Sequence, residues 1–569
     1  MQRLFYLGNL YSIVVVNPAR RLPLILFPIL SIVFLLFGCQ KLPETAEEIQ
    51  SEKDVAQFLD VLEKRYEACC IEIGRANWNL YSYEGPADPS AARAELADIF
   101  LNDVYRKIVN DWRFKINKDN YPELHRRLEI WSQCFIGAFI EEDEAIYSLK
   151  DSLMERNYQF RFSMDDQEVS RAELNRILRT DPDSERRRKA WEAFGQLSEA
   201  MESGLRDLMW KRNEKVELLG RQIDYAVFSL MVQAINAGWL KGLIDKLEER
   251  TREPYREFIN SLKQELDIEV LYPWDIQYAM HQATSLPDEY FPADRAVPTL
   301  FNFVRSIGLS EDKVSIKIVE DGIPYDVCGT AIKIPNTYRL IVTPGEGHRF
   351  YSTLFHEYGR GLYNAHIRAK KPIFKGYEWV LGATSAAYTE GMAEILAEFP
   401  QDSLWLRKYT SLSEEQIERY ANVQSNLELY SIRSLISTIS FELEAYTNLL
   451  QDLDILQREM DRTFLLVDIP EDTPSQWASM TALVNYPLYY QNYFLAAVVA
   501  AQVHQTLKKE FGDRVIDSPE VGKWLIENLY APGESRPWRD KIRQATGNWP
   551  DVDAYIERLV AETQTTDDD

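Results

Sequence analysis

The chain has 569 residues and a formal net charge of −25. A surface of that sign repels phosphate, which excludes nucleic acid as a partner reached through bulk electrostatics. Hydrophobic residues make up 46% of the chain and charged residues 27%, enough apolar material for a sizeable buried core.

At the N-terminus, Arg20 and Arg21 precede the uncharged run LPLILFPILSIVFLLFG (22–38), and Cys39 follows it. Positive charge, an apolar stretch and an ending in Leu36-Phe37-Gly38-Cys39 resemble a bacterial lipoprotein signal, although Phe37 is bulkier than the residue usual there. This resemblance implies removal of residues 1–38 and lipidation of Cys39. The body would then be anchored in the bacterial cell envelope, on the outer membrane and facing the periplasm. An uncleaved anchor helix is the alternative, but the run is short for a hydrocarbon core of about 30 Å. Cys69, Cys70, Cys134 and Cys328 are too scattered for a disulfide scaffold. They read as buried small hydrophobes with one optional bridge.

From about residue 45 the sequence reads as helix. Apolar residues recur at three- and four-residue intervals in AEEIQSEKDVAQFLDVLEKRYEACCIEIGRANWNLYS (46–82), then in 92–112, 121–156, 168–180 and 186–220. The pattern returns in 239–267, 414–465 and 493–511. With no Ser/Gly-rich or Pro-rich linker and no repeat period, one large, mainly α domain is expected over 39–560, ahead of a disordered acidic tail at 561–569. The stretch 313–344 differs. It alternates β-branched and polar residues around Asp321-Gly322 and Pro335-Asn336, which predicts a hairpin or small antiparallel sheet. Its segment YDVCGTAIKIPN contains Thr330 and Ala331, whose backbone is the candidate edge for an extended peptide.

The sheet leads into FHEYGRGLY (355–363). Residues four apart share one helix face, so two histidines at that spacing can grip one metal while an adjacent glutamate polarises water. Here His356 and Glu357 are in place, but Arg360 stands where the second histidine belongs. A return helix, AAYTEGMAEILAEF (386–399), sets Glu390, Glu394 and Glu398 at four-residue intervals among small and apolar residues. From pattern alone this pair of helices is either a metal site that has lost a ligand or a set of acidic faces that never bound one.

RANWNLYSYEG (75–85), FHEYGRGLY with AAYTEGMAE, and YYQNYFLAAVVAAQVHQTL (489–507) together resemble the angiotensin-converting-enzyme family of zinc peptidyl-dipeptidases. The three segments occur in that family's order across nearly the whole mature chain. The resemblance implies a helical ellipsoid split by a deep central cleft, with a small sheet beside the His-Glu helix. By position, His356 and Glu390 match zinc ligands and Glu357 the general base. Glu394 matches an acidic residue behind the ligands, Tyr493 the tyrosine that steadies the tetrahedral intermediate, and Tyr490 one that holds the substrate's C-terminal carboxylate. Gly329 stands where the family has a substrate-facing histidine, and Thr481 and Leu483 replace a lysine and a histidine.

Arginine has no acceptor lone pair and keeps its proton, so Arg360 cannot be a ligand. The remaining histidines are His125, His281, His348, His366 and His504; His348 and His366 lie too far along a regular helix to join His356. The expectation is that the Arg360 guanidinium takes the metal's place, in a bidentate pair directed at Glu390 and Glu394. No cofactor is then required, and the protein is a pseudopeptidase that binds a peptide or protein segment. Three alternatives remain: an active zinc peptidase releasing C-terminal dipeptides through an unusual ligand set, a structural envelope lipoprotein with a vestigial cleft, and an Arg360 that merely faces solvent.

Overall fold

The computed structural model describes residues 42–319, 326–467 and 469–561. The expected signal, Cys39 and the acidic residues 562–569 lie outside them. The described chain is mainly α-helical. Helix α1 (Glu52–Ser82) starts at a reciprocal cap, in which Ser51 Oγ accepts from the Asp54 N–H and Asp54 accepts from the Ser51 N–H. One face, with Val55, Leu59, Leu62, Tyr66, Cys70 and Ile73, is buried at helical spacing. Long helices α2 (Ser184–Leu218), α3 (Ala237–Glu265) and α6 (Glu414–Thr447) form much of the rest.

Four stretches expected to be continuous helix are broken in the structure, the first of them, 46–82, at the Ser51 cap just described. The breaks fall where a side chain caps a new start: Asn102 accepts from the Tyr105 N–H, Asp143 from Ala145 and Ile146, and Asp452 from Asp454 and Ile455. Asn and Asp compete with the helical backbone for its N–H groups, so they end one helix and begin the next without interrupting the apolar rhythm.

β1 (Phe162–Met164) and β2 (Gln167–Val169) form a two-stranded ribbon. β3 (Ser315–Ile318), β4 (Val327–Lys333) and β5 (Thr337–Val342) form a sheet in the order β3-β5-β4. β4 and β5 are antiparallel across Pro335-Asn336, as expected, but β3 pairs in parallel with the far side of β5, from Ser315↔Arg339 to Ile318↔Val342. The sheet is therefore mixed rather than antiparallel, because alternation fixes which residues face inward but not the order or direction of the strands. The turn expected at Asp321-Gly322 lies outside the described residues. With β5 in the centre, β4 is left on an edge.

The largest cluster of buried apolar side chains extends from Val55 to Leu559. At its middle, α4 (His348–His366) and α5 (Ala386–Ala397) pack on each other, and α7 (Tyr490–Phe511) packs on α5. The first contact is close because position 359 is glycine. A Cβ there would stand 2.8 Å from Leu396 Cβ and 2.9 Å from the Ala393 carbonyl oxygen.

Candidate functional site

Every residue of α4 from Phe350 to Ala365 except Thr353 is buried, so its charged residues must find partners inside the protein. His356, Glu357 and Arg360 are 8%, 2% and 7% exposed, and Glu390 of α5 is 2% exposed. Arg360 Nη2–H donates to Glu390 Oε2 at 2.6 Å, and Nη1–H donates to Glu378 Oε1 at 3.2 Å. Arg360 Nε lies 3.7 Å from Glu357 Oε2. His356 donates from Nδ1 to Glu394 Oε2 at 3.0 Å, while its Nε2 lies 3.3 Å from Glu390 Oε2 and 3.3 Å from Arg360 Nη2. Tyr489 closes the set by donating to Glu390 Oε1 at 3.1 Å.

Burial opposes charge on these groups, but pairing outweighs burial for most of them. Glu390 is pushed up by burial, yet the Arg360 charge and then His356 hold it down at about 2. Burial lowers His356, but Glu390 and Glu394 overcome this and raise it to about 9, so the ring is an imidazolium at neutral pH. Glu357 is the exception. Burial raises it, and Arg360 and His356 only partly compensate.

These residues do not fit a zinc ion. A catalytic zinc takes three protein ligands. Here the gap between His356 Nε2 and Glu390 Oε2 is flanked by Nη2 of a guanidinium, at 3.3 Å and 2.6 Å. The second carboxylate, Glu394, lies on the other ring nitrogen. No other histidine of α4 contributes. His348 packs between the rings of Phe291 and Tyr420, and His366 Nδ1 donates to the Leu362 carbonyl at 2.8 Å.

Beside Arg360 lies a cavity of about 80 Å³. Of the residues singled out in the sequence, Thr330, Ala331, Glu357, Arg360, Glu390 and Tyr493 all line it. His356 and Glu394 are reached from these by the contacts just given. Tyr490 is not among the lining residues; it is half-buried near Glu442, its ring 6.4 Å from that of Tyr493. Two further expectations are corrected. Glu394 is the partner of His356 rather than of Arg360, and the guanidinium divides its donors between Glu390 and Glu378 instead of making a two-point pair with one carboxylate. A guanidinium can grip one carboxylate at two points, but here Glu390 and Glu378 each meet a different Nη group, so neither takes both donors.

The structure adds Glu378 and Tyr338 to the site; of the row Tyr486, Tyr489, Tyr490 and Tyr493, expected from the sequence to form the wall opposite β4, only Tyr493 lines the cavity, while Tyr489 reaches the site through Glu390. Tyr489 stands in the visible tyrosine row at the start of α7. Glu378 comes from a connecting loop with no pattern to mark it. Gly329 lies against two of the site's polar groups. A Cβ on it would be 2.3 Å from Tyr338 Oη and 2.7 Å from Glu357 Oε2, so no side chain fits while those groups keep their places. Compared with known proteins, the chain matches no family model and no curated sequence.

Proposed function

We propose that this protein is a metal-free relative of the peptidyl-dipeptidases that holds a peptide or protein segment beside α4 and does not cut it. An N-terminal lipid would keep it at the envelope membrane. The observation that carries this reading is the Arg360 guanidinium, 2.6 Å from Glu390 Oε2 and 3.3 Å from His356 Nε2. A fixed organic cation there neutralises the carboxylates around it but offers no site at which water can be ionised. Glu357 then has no activated water to deprotonate, and Tyr493 has no oxyanion to steady.

Retention of peptide is supported by β4, an edge strand whose residues Thr330 and Ala331 line the cavity. An extended segment added to that edge would gain main-chain hydrogen bonds, and the cavity would accept one of its end groups. The test is calorimetry with a set of pentapeptides, paired with mass spectrometry for released dipeptides, with and without added zinc. Saturable binding without release is expected. Absence of binding, or dipeptide release that disappears in Glu357→Gln, overturns the reading.

A further inference from the structure

The cavity floor carries two polar atoms with nothing to pair with. Glu357 Oε1 and Tyr338 Oη are buried and have no hydrogen-bond partner among the described residues, and both residues line the cavity. Their residues are 2% and 3% exposed. An unpaired buried carboxylate oxygen is costly, so such an atom calls for a donor supplied from outside the fold. Arg360 does not supply it, since its two Nη groups are engaged by Glu378 and Glu390 and its Nε stands 3.7 Å from the other oxygen of Glu357.

The charge around the cavity points the same way. Glu357, Glu378 and Glu390 line it against Arg360 within and the exposed Arg93 at its mouth. His356 and Glu394, behind the wall, offset each other. The remaining imbalance is negative. Much of the wall is aromatic as well, from Tyr81, Tyr338, Tyr377, Trp379 and Tyr493. Carboxylates with aromatic faces are the surroundings that organic cations prefer. A cavity of about 80 Å³ has room for a head group and a short stem.

We propose that this cavity binds a primary ammonium group, with Glu357 as its counter-ion and Tyr338 Oη as a second acceptor. The group would be a lysine side chain or the amino end of a bound peptide. The assignment rests on the peptide-holding reading for the source of the ammonium, and it names the class of segment that reading takes. A quaternary ammonium shares the charge but has no N–H to give, so the two classes of cation separate the hydrogen-bonding claim from mere charge.

The experiment is calorimetric titration of the full chain with propylammonium, tetramethylammonium and 1-propanol. Propylammonium should bind saturably, tetramethylammonium at least tenfold more weakly, and 1-propanol not measurably. Glu357→Gln should weaken propylammonium about ten- to a hundredfold, the usual worth of a charged hydrogen bond. Tyr338→Phe, which keeps the ring, should weaken propylammonium and leave tetramethylammonium unchanged. Acetyl-lysine amide and alanine amide then separate the side-chain source from the terminal one.

Equal binding of the two cations, binding of propanol, or no binding of propylammonium overturns the assignment, as does an unaltered response in both variants. Pentapeptides that bind equally well whether or not their amino groups are acetylated overturn it while leaving the peptide-holding reading intact. Dipeptide release sinks that reading and leaves the ammonium result standing.

Discussion

Replacing Arg360 with methionine keeps a long, flexible side chain and removes the charge. Glu390 and Glu357, each 2% exposed, would lose their main counter-ion, and Glu378 would lose a donor at 3.2 Å. Breaking a buried ion pair from one side costs about 3–5 kcal/mol. The Glu390 carboxyl gives a similar figure: held at about 2 instead of its ordinary 4.5, it corresponds to about 3 kcal/mol at roughly 1.36 kcal/mol per pH unit, part of it owed to His356. That contribution is present above pH 4.5 and is lost as the pH falls through about 2.

The penalty in Arg360→Met should therefore be largest at neutral pH and shrink steadily below pH 4.5. Adding Glu390→Gln to it should recover at least about 2 kcal/mol, because the orphaned charge is then removed. Urea unfolding followed by tryptophan fluorescence at pH 7, 5 and 3.5 gives these values. A loss under about 1 kcal/mol at pH 7, or a penalty that does not change with pH, would refute the claim that Arg360 balances these carboxylates.

His356 gives the complementary slope on the alkaline side. Its folded-state value of about 9 exceeds the ordinary 6.5, so its contribution, at most about 3 kcal/mol, is complete below pH 6.5 and disappears as the pH rises through about 9. The urea midpoint of the parent should fall across that window, and His356→Gln should remove the slope; an equal slope in both proteins would contradict this. Gly329→Ala places a methyl 2.3 Å from Tyr338 Oη and 2.7 Å from Glu357 Oε2. It should cost about 1–3 kcal/mol by overpacking, read by the same unfolding assay, and a change within about 0.5 kcal/mol would show that the floor of the cavity yields freely.

Much of the site was legible because its residues sit on two strongly periodic helices. The spacing His356–Arg360 and the row Glu390–Glu394 announce faces, and the apolar residues between them announce burial. Spacing alone could not divide the carboxylates between two cations. Glu394 and Glu390 share a helix face, yet one reaches Nδ1 of the imidazole and the other the guanidinium. That choice depends on how α4 and α5 cross, which Gly359 sets through a contact that no periodicity records. Glu378 was invisible because a loop carboxylate has no repeating neighbours to mark its direction. The parallel pairing of β3 was hidden for a similar reason: alternation in 313–344 reports inward and outward faces, whereas strand order depends on the connections.

The role of Arg360 as a fixed replacement for a metal is tested most directly by zinc titration of the parent and of Arg360→His, followed by dialysis and elemental analysis. The parent should retain no stoichiometric zinc, and Arg360→His should retain about one ion per chain. That ion should be lost again when His356 or Glu390 is also replaced. One zinc per chain in the parent, released by His356→Gln or Glu390→Gln, would contradict the account.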